Sequence, residues 1–294
     1  MSDRTIWQNS LTTGSLLKLK LQCNNQGKTI IQERYETHPM RISRPFRLDK
    51  NLIQGESDRR AYLYLRNNSP GLLAQDKLNL DFTLAANTQL YLTEQSATKV
   101  HPMSSESTAE VNYRWTIGKQ AMVEFVPEPL ILYQDSALKQ TTIIKMHSTA
   151  SLFWCDLILP GRLAKGESYQ FRYYNHLLEV SSDCDEMWFK ERFYLMGLHN
   201  QFSHHHLFAS LPVIGSAIAI MPQIEVNLLK NSLDNLKGDN QKDFVVATSV
   251  LPHNKGVVIR ALASQTQQIK NYWHSVINVL RQLNQQPHLP RIPK

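Results

Sequence analysis

Three adjacent histidines, His204-His205-His206, form the densest run of metal-ligating side chains in this 294-residue sequence. On an extended strand neighbours alternate faces, so His204 and His206 share a side and could hold one Zn²⁺ or Ni²⁺ through imidazole nitrogens. On a loop the same run is a set of solvated imidazoles. Glu124-Phe125-Val126-Pro127-Glu128-Pro129 places two carboxylates beside a double-proline bend. Proline fixes φ and pushes its predecessor towards extended backbone, so this segment is not helical. Glu124 and Glu128 could offer hard oxygen ligands to a passing divalent cation, or be solvated loop charges. Leu92 to His101 concentrates Glu94, Lys99 and His101 at a strand end. These line a buried polar passage or partner contact, or mark a strand running into solvated loop. Arg162 and Glu167 fall in a Gly- and Pro-containing loop, where the planar guanidinium fork suits either a foreign carboxylate or Glu167 itself. Cys155, between Trp154 and Asp156, reads as a small buried hydrophobe.

The chain carries no GxSxG, Walker loop, HExxH or GxGxxG after a strand, so no catalytic signature supports an enzyme. Two other classes stay open on residue types alone. One is a β-rich metal-dependent hydrolase with His204, His206 and Glu225 around an open metal position. The other is a β-sandwich binding module presenting surface aromatics such as Trp7 and Trp188.

The elements that must position these groups are mostly strands. Leu17, Leu19 and Leu21 alternate with Lys18, Lys20 and Gln22, and Asn24-Asn25-Gln26-Gly27 then turns into Thr29-Ile30-Ile31, a hairpin pattern. Leu78/Leu80/Phe82/Leu84, Tyr113/Trp115/Ile117, Ala121/Val123/Phe125 and Met187/Phe189/Phe193/Leu195 repeat the period of two. Short strands at this spacing predict a mostly β protein: a sandwich, barrel or stacked-sheet body. No fixed-period sequence repeat is visible. Ile269, Trp273, Val276, Leu280 and Leu283 step by three and four, predicting a C-terminal helix over about 264–286 that either packs on the β body or leaves a partner patch. Pro287 and Pro290 stop it and begin a Pro-rich tail over 287–294. The polar run 231–243 reads as an exposed loop, and no boundary divides the single domain 1–294.

Composition narrows the class. Hydrophobic residues at 42% support a real core. The net charge of +7 is spread along the chain, whereas nucleic-acid binders cluster it into a stripe. No apolar run reaches membrane-span length, and the start lacks a signal-peptide pattern. Three distant cysteines form no CxxC. The expectation is a cytoplasmic protein that binds neither nucleic acid nor membrane.

Six ordered blocks resemble the urease accessory protein UreD family, also called UreH. Pro39 to Phe46 resembles its "PLR…RPF" run, and Tyr64 to Leu72, ending at Asp76, its "N-x-x-GG-L…GD" turn. Leu92 to Lys99 is similar to "LTTQ-A-TK", the most specific block. Glu124 to Pro129 with Ile131 matches "E-x-x-P-x-x-x-I", and Leu159 to Arg162 through Gly166-Glu167 matches "GR…GE". Ala247 to Pro252 through Val258-Ile259-Arg260 resembles "LP-x-G-LLVRYLG" before the last helix. Gln75 stands where the family has Gly, Glu94 where it has Thr, and Leu262-Ala263 replaces Leu-Gly.

The resemblance implies a helix-like stack of β-sheets with a short helical element, and a non-enzymatic role. Family members bind apo-urease as a scaffold with UreF and the GTPase UreG, and assist insertion of nickel and the carbonate-modified lysine. A polar tunnel for nickel has been proposed in the family; here it would be lined from Asp76, Glu94, Lys99, His101, Glu124, Glu128, Arg162 and Glu167. Transient transfer requires ligands that let go, so no tightly bound cofactor is expected, only passing Ni²⁺.

Overall fold

The computed structural model describes residues 14–49, 58–197, 210–237 and 242–293. His204, His206 and Trp7 lie outside the described residues. Period-2 alternation becomes two facing sheets. The first, seven-stranded, contains β1 (Ser15–Cys23), β2 (Thr29–Glu36), β5 (Lys77–Leu84), β8 (Ala109–Ile117), β11 (Ala137–Met146), β13 (Tyr173–Ser182) and β14 (Met187–Met196), in the order β14-β13-β11-β8-β5-β1-β2. The second, ten-stranded, is built on β3 (Met40–Ile42), β4 (Ala61–Asn67), β6 (Gln89–Glu94), β9 (Met122–Val126), β12 (Ser151–Leu159), β15 (Val213–Ile220), β16 (Phe244–Val250) and β17 (Val257–Ala263). Short β7 (Thr98–Val100) and β10 (Leu130–Leu132) extend it along one edge of the body.

The chain winds between the sheets in successive coils. β5, β8 and β11 each cross to β6, β9 and β12 through a tight turn, and strands of consecutive coils pair in parallel. The three turns close the same way: Thr88 N–H donates to Ala85 O, Ala121 N–H to Gly118 O, and Ala150 N–H to His147 O. Backbone bonds also link one turn to the next, as from Asn87 N–H to Lys119 O and from Ser151 N–H to Ala121 O. This is β-solenoid-like stacking. It was hidden from a search for repeats because the coils share inward alternation and turn hydrogen bonding, with different residues in each.

Between the sheets lie Leu17, Leu80, Phe82, Trp115, Phe125 and Trp154, with the Phe82–Trp115 and Phe125–Trp154 ring pairs at 4.2 and 4.3 Å. The outer face of the seven-stranded sheet is wet and carries cross-strand pairs such as Lys20–Glu33 and Asp81–Arg114. The ten-stranded sheet is covered on its other side by α1 (Val226–Asp234) and α2 (Thr266–Leu283). Burial on both faces explains the continuous apolar runs of β12 and β15. Trp273, Val276 and Leu280 are buried here, so the stripe serves the core. Gly215 lets α2 approach closely: a Cβ there would lie 2.8 Å from Ile269 Cγ2.

Several expectations change. The run 231–243 is not all loop, since α1 reaches Asp234 and a 3₁₀ turn continues to Lys237. Glu225 is the N-cap of α1, accepting from Asn227 and Leu228 N–H, which removes it from the hydrolase constellation. Trp188 is 3% exposed and lies under Lys255, so it is no surface aromatic. Met187 faces solvent because the β13–β14 register shifts at Val180/Ser181.

One buried ion cluster ties the coils to the C-terminal helix. Glu124 Oε1 accepts from Arg281 Nε at 2.9 Å, and Oε2 accepts from Arg281 NH2 at 2.6 Å and Arg60 NH1 at 2.8 Å. Arg60 also donates to Gln286, and Arg281 to the Tyr62 hydroxyl. Burial alone would raise the Glu124 carboxyl; the two guanidiniums outweigh it and hold it below the usual range. Its stabilisation is therefore complete above the unfolded carboxyl's value of about 4.3 and is lost as pH falls below it. Arg281→Met is expected to cost about 3–5 kcal/mol in denaturant unfolding, because it strips a buried carboxylate of a partner. Lys20→Met at the exposed Lys20–Glu33 pair is expected to change stability little.

Candidate functional site

Opposite the tight turns the coils are joined by longer loops, and four of the six motif blocks lie on this edge. The loop after β4 meets the segment after β6 at Gly71, whose φ of +154° and close contact exclude a side chain: a Cβ would sit 2.3 Å from Lys99 O. Leu72 N–H donates to Lys99 O at 2.7 Å and His101 N–H to Leu72 O at 2.9 Å. His101 Nε2 lies 3.2 Å from Pro70 O, and its ring meets Tyr133 edge-on at 5.3 Å. Arg162 stacks its guanidinium 4.5 Å from the same ring and pairs with Glu167 through Nε at 2.7 Å and NH2 at 2.5 Å. Glu167 also accepts from Gln134 N–H. Burial opposes its ionisation, but these bonds win and hold the carboxyl below its ordinary value.

Asp76 accepts from Leu73 N–H at 2.8 Å, closing the turn in which Gln75 takes φ +66°. The turn thus keeps its left-handed residue without glycine, at a conformational cost of about 1–2 kcal/mol. Asp76, Arg162 and Glu167 are accordingly bound into loop structure.

Beneath this edge three cavities follow one another. The first, about 150 Å³, is walled by Asn67, Ser69–Gly71 and Ser96–Lys99, with Glu94 at its inner side. The second, about 40 Å³, lies between the sheets and shares Leu72, Glu94 and Thr98 with the first; Glu128, Gln140 and Asp156 also line it. The third, about 490 Å³, shares Pro127, Glu128 and Leu157 with the second and is closed by α2 and the tail at Leu289–Ile292. The middle space holds about one water. Glu94 and Glu128, 8% and 9% exposed, stand in the shared walls.

Glu128 Oε2 pairs with Lys270 Nζ at 2.5 Å, and partial burial lowers the ammonium's pKa. Glu124 does not line these three cavities; it belongs to the arginine clamp. Asp156, absent from the residues singled out by sequence, does line the middle one. Burial raises its carboxyl despite His176 Nδ1 at 3.5 Å, and burial lowers the His176 imidazole. A signal existed in the sequence: Gln140, Thr142 and His176 fall on inward positions of strands that are otherwise apolar there. Among the described residues no three metal-ligating side chains converge.

Comparison with known proteins gives the family. A family model described as UreD urease accessory protein matches residues 14–294. The urease accessory protein UreD of Trichodesmium erythraeum is 46% identical over 279 residues, 95% of this chain and 98% of that protein. That of Bacillus cereus is 30% identical over 267 residues, 87% and 89% of the two chains. The chain belongs to the UreD family. It is therefore an accessory protein in urease maturation, and the resemblance read from the six blocks holds over nearly the whole chain. Two glycines of the UreD-like motif loops separate shape from space. Gly166→Ala, at φ +71° with nothing within 4 Å of the new Cβ, is expected to cost about 1–2 kcal/mol. Gly71→Ala adds a backbone clash to the strain and is expected to lower the melting temperature much further.

Proposed function

We propose that this UreD-family chain is a non-enzymatic scaffold for urease maturation that assembles with UreF, the GTPase UreG and apo-urease in the cytoplasm. Its three cavities serve as a passage through which Ni²⁺ travels towards the urease active site. The observation that carries this reading is the succession of cavities, with Glu94 and then Glu128 in the walls that adjoining spaces share. A dication entering the narrow middle space sheds most of its water, and buried carboxylates offset that loss of hydration. Carboxylate ligands at separate points hold nickel weakly enough to release it, as a conduit requires. Nickel is cargo here, and the chain needs no cofactor of its own. No helix among the described residues is long and apolar enough to cross a membrane, which agrees with the proposed location.

The test uses cells that lack this gene and carry restored copies. Wild type is expected to give nickel-loaded, active urease. Glu94→Gln and Glu128→Gln are expected to lower the nickel content of purified urease about tenfold or more while still co-purifying with urease. Fully loaded urease from both variants would overturn the passage, and loaded urease without any copy would overturn the maturation role.

A further inference from the structure

The first motif block, Pro39 to Phe46, holds exposed residues that neither the core nor the cavities use. Arg41 on β3 lies directly opposite Arg66 on β4, and β3 is the terminal strand of the ten-stranded sheet. Like charges set opposite one another across two strands destabilise the pairing. Little offsets them here. Glu36 stands 3.9 Å from Arg41 Nε, and its other oxygen accepts from Ile42 N–H. Among the described residues no carboxylate pairs with Arg66 or with exposed Arg44. Aromatic rings lie beside these cations: Phe46 is 44% exposed, and its ring meets Tyr64 edge-on at 5.7 Å. Tyr64 and Arg66 follow Tyr62 at steps of two, so they stand on the sheet's helix-bearing side, which is open to solvent at this end. The Tyr64 hydroxyl donates to Pro293 O, so the C-terminal tail borders the patch. The wet face of the seven-stranded sheet is built differently: Lys20–Glu33, Asp81–Arg114 and Glu179–Lys190 pair opposite charges across its strands.

We infer that Arg41, Arg44, Phe46, Tyr64 and Arg66 form the docking face for an acidic segment of urease. The inference rests on the reading of this chain as a scaffold that binds apo-urease, the partner that a role in urease maturation requires. Charge complementarity names the segment. A guanidinium donates two parallel N–H bonds to one carboxylate, and such forks are the strong, oriented form of ion pair. Carboxylates seated between Arg41 and Arg66 would also remove the repulsion that the free protein carries across β3 and β4. Arginine and aromatic side chains together are the groups enriched in protein interfaces, where an apolar ring anchors the contact and charge sets its register. The net charge of +7 draws an acidic partner at longer range. Met40, Leu65 and Asn67, neighbours of these residues in the chain, wall the first cavity, so urease seated on this face lies beside that cavity.

The experiment measures binding of the purified full-length protein to immobilised apo-urease by biolayer interferometry, at low and at physiological salt. Arg44→Glu combined with Arg66→Glu is expected to weaken binding about tenfold or more and to flatten its salt dependence. Phe46→Ser is expected to weaken it about tenfold at either salt concentration. Lys119→Glu, exposed on the tight-turn edge, is expected to leave the affinity unchanged. Arg66→Glu sets a carboxylate opposite Arg41, so the melting temperature is expected to hold or rise while binding is lost. Unchanged affinity of the double variant for apo-urease overturns the docking face. Should that variant fail to fold, Arg44→Gln and Arg66→Gln are measured singly, and unchanged affinity in both overturns it. A loss confined to UreF, measured in parallel, also overturns it, as does tighter binding of a single-stranded RNA oligonucleotide that the same substitutions abolish. Double-variant protein that binds apo-urease normally and restores nickel-loaded urease in cells sinks the face and leaves the scaffold. Wild-type protein that binds no apo-urease sinks the scaffold, and the face with it.

Discussion

Burial of the ten-stranded sheet on both faces is the constraint from which most of this structure follows. One side packs against the seven-stranded sheet and the other against α1 and α2. A polar side chain on its central strands has no route to bulk water and must find a partner inside the protein. Three carboxylates on those strands illustrate the different outcomes. Glu124 on β9 faces the helix side and is neutralised by Arg60 and Arg281. Asp156 on β12 faces the other sheet, where His176 stands opposite and a cavity adjoins it. Glu94 ends β6 at the wall between two cavities. The same low dielectric that would punish an unpartnered carboxylate strengthens its attraction to a cation, as the two guanidiniums on Glu124 illustrate.

Coil geometry explains why the motif residues assemble. Parallel stacking places equivalent points of successive coils above one another, so the loops after β4, β6, β9 and β12 share an edge although the motifs lie about thirty residues apart in sequence. Tight turns on the opposite edge leave no room for such loops. On the loop edge Gly71 admits the Lys99 backbone, and Tyr133 is gripped between His101 and Arg162. Some of the residues singled out by sequence therefore build the rim, while others line the interior beside Asp156, which was not singled out. Asp76 and Glu167 are spent on backbone N–H groups and an arginine, and the cavities are lined instead by Glu94, Glu128 and Asp156.

What could be read from residue order divides along the same line. Period-2 alternation marked the strands of both sheets, and steps of three and four marked α2 to within a few residues of its ends. The α1 helix escaped because its buried positions, Val226, Leu229 and Leu233, are few and dissolve into a polar run. Trp188 and Met187 exchanged faces through a register shift that no local pattern reports. The arginine clamp was invisible for a different reason. Arg60 and Arg281 are far apart in the chain, and a charged residue beside Leu280 on an apolar stripe looks like the solvent side of the helix until its partner is known. The inward Gln140, Thr142 and His176 carried a signal in plain view, but only knowledge of which face is inward turns it into a polar cluster.

That difference bears on how such a protein can handle a metal. A tight three- or four-ligand site announces itself by clustered Cys and His, and it would trap an ion that lies high in the affinity order for such donors. The proposed path uses single carboxylates, each supplied by a different coil, and so needs no two ligands to be neighbours in sequence. Stacked coils bring these carboxylates to the walls of adjoining cavities, although they lie far apart in the chain. Weak, separated ligands on a rigid stack are thus the arrangement that favours movement over storage, and rigidity comes from the backbone pairing of the coils rather than from the ligands themselves.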